Sequence, residues 1–179
     1  MRQQIAAPHA PRVPRLTPGA RKAVVILHVI SSVGWLGLNL GTLTLSAIGL
    51  TTSSADRQHA AFGALAMLGE SLLIPMSLTA FGTGLVLAFG TRWGLVRYWW
   101  VLVKFVLTLI AVVLIPLSLL PGIREVADTV GGAKPGELID LGAGAADLVV
   151  AGCVSTAMYT TSVVLSVLKP RRRTRWGRN

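Results

Sequence analysis

The chain has little that marks a soluble protein or a familiar enzyme. Cys153 is its only cysteine, so no internal disulfide can form and the redox compartment leaves no trace in the sequence. Placed at small-residue spacing in an apolar run, Cys153 reads as packing rather than as a thiol nucleophile. Acidic residues are scarce, seven Asp and Glu against seventeen Lys and Arg. Charged residues of both signs make up only 13% of 179, while 53% are hydrophobic and the mean hydropathy is +0.65. No Ser-His-Asp arrangement, phosphate loop or zinc-ligand spacing is present. Gly82-x-Gly84 is too short for a nucleotide fingerprint, and no strand precedes it. Only His28 of the three histidines falls within an apolar stretch, so a bis-histidine haem would need a second chain. The soft ligands Met67, Met76, Met158 and Cys153 are scattered and read as core.

Long apolar stretches are what the chain does have, at roughly Ala23–Leu50, Ala61–Gly90, Tyr98–Leu120 and Leu138–Leu168. A bilayer core about 30 Å thick needs about 20 helical residues, and each stretch is long enough. Lipid cannot satisfy open backbone groups, which leaves helices or a closed barrel. Barrel strands would be about half as long and would alternate apolar with polar residues; these stretches do neither. The expected fold is therefore all-α, a four-helix transmembrane bundle with up-down-up-down topology and short connections. Three parts are expected: a basic Pro-rich tail over 1–22, the transmembrane domain over 23–168, and a second basic tail over 169–179.

The formal net charge of +10 would suit nucleic acid, but its placement excludes that partner. Arg2, Arg12, Arg15, Arg21 and Lys22 precede the first span, and Lys169, Arg171, Arg172, Arg173, Arg175 and Arg178 follow the last. Such flanks are the positive-inside pattern of cytoplasmic ends, and they suit contact with anionic lipid heads. Arg92 and Arg97 place the Gly90–Arg97 connection on the same side, whereas Glu125, Asp128 and Glu137 against Arg124 and Lys134 place Pro121–Glu137 outside. The Thr51–Ala60 loop, with Asp56 and Arg57, decides nothing. Two cytoplasmic termini require an even number of crossings, and four satisfies this. The expected location is the bacterial plasma membrane. The first 22 residues are too long, basic and Pro-rich for a usual signal n-region, and the apolar run after them exceeds a signal core; the tail reads as disordered, and Pro121–Glu137 as the most irregular connection.

Each span carries a few polar residues. In the first, His28, Ser32, Trp35, Asn39, Thr42 and Ser46 recur at helical spacing, and a polar face in lipid turns toward the bundle. Gly34, Gly37 and Gly41 suggest close helix contact on another face. The second span holds Glu70, Ser77 and Gly84 at steps of seven, with Pro75 as an expected kink. Lys104 is the only charge in the third, beside an interfacial cluster of Trp93, Tyr98, Trp99 and Trp100. The fourth presents Asp140, Gly144, Asp147, Ala151, Ser155, Met158 and Ser162 on one face. His28 and Lys104 both lie about 8–9 Å from the inner starts of their spans, and Glu70 and Asp147 share a level near the outer side. Two polar sites are thus expected, an inner pair of His28 with Lys104 and an outer pair of Glu70 with Asp147. Each has a plainer account: Lys104 snorkelling to headgroups, His28 bonding a neighbouring carbonyl, and the two acids lying wet in the interface.

The run Thr91–Thr108 (TRWGLVRYWWVLVKFVLT), with Leu27-His28…Trp35-Leu-Gly37 and Glu70…Pro75, resembles a bacterial membrane family, common in actinobacteria, described only as predicted integral membrane proteins. The likeness covers about residues 23–170 and implies no activity. His28 with Trp35, and Trp100-x-x-x-Lys104, are similar at greater distance to haem-type membrane protoporphyrinogen oxidases. That resemblance implies haem b with His28 as an axial, metal-binding ligand, and Lys104 as a catalytic or propionate-binding group. Leu38-Asn39-Leu40-Gly41 stands where that family has an aromatic and then an arginine, which separates haem binding from porphyrinogen oxidation. Copper-resistance D-type membrane domains share the same His…Trp-x-Gly opening.

Three functions are consistent with these residues. The first expectation is an accessory or structural membrane protein, with a membrane-protein partner or a second copy beside it. An alternative is a haem b- or metal-binding redox protein using His28 and Lys104. A second alternative is an enzyme or carrier for a small apolar, isoprenoid-like substrate, with Glu70 and Asp147 as catalytic groups and one carboxyl kept protonated by burial.

Overall fold

The computed structural model describes residues 16–91, 94–134, 136–170 and 173–174. Residues 1–15 of the first tail, Arg92 and Trp93 of the basic loop, and Arg171, Arg172, Arg175 and Arg178 of the second tail lie outside them. Four long helices form an antiparallel bundle: α1 (Pro18–Thr51), α2 (Ala55–Gly90), α3 (Trp99–Gly131) and α4 (Gly142–Leu168). Each is long and apolar enough to cross a membrane, and the chain is a multi-pass membrane protein on that ground. Among the described residues no strand forms, and one antiparallel β-bridge joins Tyr98 to Arg173. The bundle is up-down-up-down. Leu16 meets Gly90, at opposite chain ends of α1 and α2, and Phe62 of early α2 meets Gly49 of late α1. Phe81 stacks on Phe105 between α2 and α3, with ring centroids 5.8 Å apart. The bundle thus has a basic end, where α1 and α3 begin, and an acidic end, where α2 and α4 begin.

The helices differ from the expected spans in length. Thr17 caps α1, its hydroxyl accepting from the Ala20 N–H at 3.3 Å, and Pro18 follows at the first turn, where its missing N–H costs nothing. α2 and α3 contain 36 and 33 residues, roughly 50 Å at 1.5 Å per residue, well beyond what a core of about 30 Å requires. Their surplus lies at the acidic end, where Asp56, Arg57 and His59 of α2 run beside Arg124, Glu125 and Asp128 of α3. The Pro121–Glu137 segment, expected to be the most irregular connection, is helical as far as Gly131. Ile123, Val126 and Val130 recur at helical spacing and are buried against Phe62 and Leu65 of α2, and this apolar stripe outweighs the loop signal of Pro121 and Gly122.

Two wide π-type turns explain how prolines are accommodated. One spans Gly69–Leu73, just before Pro75, and the other Ile115–Leu119, around Pro116 and before Pro121. A turn closed by i→i+5 bonds makes room for a residue that cannot donate. The turns meet, since Gly69 lies against Ile123 and Leu120.

The main core sits toward the acidic end, where Trp35, Phe62, Leu73, Ile115, Ile123 and Leu148 form one buried cluster. Elsewhere the bundle turns apolar side chains outward, as at Ile26, Ile30, Val33 and Val167, which is the surface a bilayer covers. The glycine expectation for α1 holds at Gly34, where a built Cβ would stand 3.5 Å from Met76 Sδ of α2, and is corrected at the other two. Gly37 and Gly41 have nothing within 4 Å of a built Cβ, whereas the close approaches are at Gly49 against Phe62 and Gly152 against Leu43. Chain spacing alone cannot say which glycine-bearing face meets a neighbour.

A Cβ at Gly49 would fall 2.7 Å from Cζ and 2.9 Å from Cδ2 of the Phe62 ring. Gly49→Ala is therefore expected to destabilise the bundle by about 1–3 kcal/mol. Gly37→Ala, in open space, should be neutral or gain up to about 1 kcal/mol from helix propensity. Denaturant unfolding in detergent micelles distinguishes the two.

Candidate functional site

The polar face of α1 is its inward face. Ser31, Trp35, Asn39, Thr42, Ser46 and Gly49 are buried, one residue off the expected stripe at Ser31, with Ser32 only half-buried. Asn39 ties α1 to α4, its Nδ2 donating to Thr156 Oγ1 at 2.8 Å and to the Gly152 carbonyl at 3.3 Å. The hydroxyls of Thr42 and Ser46 return to carbonyls of their own helix, Asn39 O at 3.0 Å and Thr42 O at 2.9 Å. Trp35 packs on Tyr159, ring centroids 4.8 Å apart. On α4 the buried line is Ala145, Leu148 and Gly152, adjacent to the face expected from sequence. Asp140 precedes that helix and closes a local turn at its start, accepting from the Gly142 N–H at 3.0 Å.

His28 lies half-buried between α1 and α2. Its Nδ1 is 3.1 Å from the Ala80 carbonyl and 3.0 Å from Thr83 Oγ1. A carbonyl can only accept, so Nδ1 carries the proton and, in the neutral ring, Nε2 keeps its lone pair. Thr83 in turn donates to Thr79 O at 2.6 Å. Gly84 makes room for the ring, because a Cβ there would stand 3.2 Å from His28 Cε1.

Lys104 does not bond to His28, although it lies within electrostatic reach. Its Nζ donates to Ser166 Oγ on α4, and the Ser166 hydroxyl donates in turn to Ser162 O at 2.8 Å. The ammonium stands 6.0 Å from the Trp100 ring centroid. The inner pair is thus two separate ties at one level, α1 to α2 and α3 to α4.

The outer pair is not formed. Glu70 Oε1 accepts from Arg124 Nε at 2.7 Å, and both side chains are about half exposed (47% and 57%). Asp147 is exposed on α4. The wide turn at Gly69–Leu73 is the reason: it takes more than four residues per revolution, so Glu70 leaves the face of Ser77, seven residues on. Gly69 is buried in its place.

Gln58 is a polar residue whose role the sequence did not reveal. Buried near the start of α2, it holds the extended segment before α4 as a neighbouring strand would. Its Nε2 donates to the Ile139 carbonyl at 2.9 Å, and its Oε1 accepts from the Ile139 N–H at 3.0 Å. A cleft of about 310 Å³ adjoins it, lined by Leu50, Thr52 and Leu138–Leu141. Ser166, Thr83 and Arg124 were likewise not singled out, since each matters only through a partner on another helix. Among the described residues no group of three or more His, Cys, Asp or Glu is placed to hold a metal ion.

No protein-family model, curated protein or solved structure matches the chain.

The buried and exposed polar groups should differ in their effect on stability. Asn39→Ala is expected to cost about 1 kcal/mol through loss of the α1–α4 bond. Glu70→Gln, which weakens an exposed ion pair, should cost less than about 1 kcal/mol. Unfolding of the two variants under one set of micelle conditions checks the contrast.

Proposed function

We propose that the chain is an accessory or structural protein of the bacterial plasma membrane, with both termini cytoplasmic and a membrane-protein partner or a second copy beside it. One observation carries this reading: His28, Asn39 and Lys104, polar side chains within the bundle, are each engaged as a tie to a neighbouring helix. His28 holds α1 to Ala80 and Thr83, Asn39 holds it to Gly152 and Thr156, and Lys104 joins Ser166. Glu70 pairs with Arg124 across α2 and α3. Support for the orientation comes from charge. Arg21, Lys22, Arg97, Lys169 and Arg173 gather at the basic end, and the seven acids of the chain all lie in the other half, the asymmetry expected when the basic end stays inside.

Reporter fusions test the topology. A reporter active only outside the inner membrane should be silent at either terminus and active when inserted after Gly132, and activity at one terminus alone would defeat the reading. Mild-detergent extraction of a tagged chain should recover a stoichiometric partner or a dimer. A monomer alone would remove the accessory role.

A second reading rests on His28. Anchoring Nδ1 on a backbone carbonyl fixes the ring and leaves Nε2 as a lone-pair donor, the arrangement that suits a metal-ligating histidine. His28 would then hold haem b from one side, with Lys104 at the same level for a propionate. The haem would supply one-electron redox chemistry. The second axial ligand would come from a second chain, because among the described residues no other histidine lies at that depth. Protein purified after expression with haem supply should show a Soret band that His28→Ala removes. A colourless wild-type protein excludes this reading.

A further inference from the structure

Among the described residues Lys104 is a cation without a counter-ion. It enters the bundle about one and a half turns from the start of α3, roughly 8 Å along the helix axis, and its side chain is half-buried between α3 and α4. Of the three protons on its ammonium, the described residues bond one, through Ser166. The remaining donors need acceptors, because a charge drawn out of water is costly unless it is paired. None of the seven carboxylates can serve. Asp56, Glu70, Glu125, Asp128, Glu137, Asp140 and Asp147 all belong to the acidic half, and the ion pair formed among the described residues, Glu70 with Arg124, lies there too.

The surroundings of Lys104 add positive potential. Lys169, three residues beyond Ser166, lies within electrostatic reach of it and is exposed at the end of α4. The first turn of α3, which has no side-chain cap, directs the positive end of its dipole to the same place. The chain after α4 folds back over the loop before α3: Thr174 N–H donates to Arg97 O at 3.0 Å, and the Thr174 hydroxyl bonds Val96 O. This clasp holds Arg173 and Arg97 at the mouth of the groove between the two helices. Trp99 stands beside it, 47% exposed, as an aromatic at the headgroup level does.

We infer that the groove between α3 and α4 at the basic end, where Ser166 positions the Lys104 ammonium and Lys169 adds a second cation, binds the phosphate of an anionic phospholipid headgroup. The phosphodiester supplies the counter-charge that the sequence omits on this side, and the lipid tails continue along the apolar flanks of the two helices. A headgroup of no net charge would bring its own cation into a site that already holds two. Free phosphate would satisfy the donors but lacks the tails. This site does not depend on the accessory role or on haem, since its readout is bound lipid.

The test uses the full chain, purified in detergent, stripped of lipid, and supplied with phosphatidylglycerol, phosphatidylcholine or inorganic phosphate, with retained ligand counted by native mass spectrometry. Phosphatidylglycerol should be retained about tenfold better than phosphatidylcholine, as one or two added basic contacts at a headgroup imply. Lys104→Met should abolish the preference while unfolding no earlier than wild type in lipid-free micelles, because an apolar side chain replaces an unpaired charge. Lys104→Arg should keep it. Lys169→Gln, an exposed change that leaves folding alone, should reduce it severalfold even if Lys104→Met does not fold. Equal retention of the two lipids by the wild type overturns the inference. So does inorganic phosphate stabilising the protein as well as phosphatidylglycerol, or a preference that survives both Lys104→Met and Lys169→Gln.

Discussion

The structure depends on one constraint: a polar group inside an apolar bundle needs a partner, and one that its own helix cannot satisfy must find it on a neighbouring helix. Asn39 shows this most directly. Its amide reaches across to Thr156 and to the carbonyl of Gly152, and the missing side chain of Gly152 lets Leu43 of α1 approach at that level. In lipid the hydrophobic effect does not favour helix association, so such bonds and close packing do the joining. His28 plays the same part toward α2, and Lys104 toward α4.

A second constraint acts at the acidic end, where the physics is closer to that of a soluble protein. The long halves of α2 and α3 bury Phe62, Leu65, Ile123 and Val130 between them, while their other sides carry Asp56, Arg57, Glu125 and Asp128. Here water is available and burial of apolar area holds the helices together. The change between the two regimes falls at the wide turns around Gly69–Leu73 and Ile115–Leu119. The Glu70–Arg124 pair lies at this boundary, exposed enough that its role is local.

Much of the fold was legible in the chain. The four apolar stretches and the inward polar face of α1 follow from periodicity, which is a property of single helices. The failures share a cause. Pro121 and Gly122 read as a loop because proline breaks isolated helices, but a wide turn nearby absorbs the missing donor. Glu70 and Asp147 share a level by residue count along their spans, but depth does not fix direction, and the same turn rotates Glu70 toward Arg124. Gly37 and Gly41 have the spacing of a packing face yet meet nothing within 4 Å among the described residues, while Gly49 and Gly152 carry the contact.

By itself the sequence determined the number of helices, their antiparallel order and the unequal distribution of charge between the two ends. Those depend on lengths, hydropathy and counts along the chain, which no packing arrangement can alter. Only the tertiary structure decided which polar residues meet. A partner on another helix is set by rotation about each helix axis, and a single wide turn changes that rotation without leaving a clear mark in composition. Hence Lys104 was recognisable as an intramembrane charge from the chain alone, but its bond to Ser166, and the lack of a nearby carboxylate among the described residues, emerged from the fold.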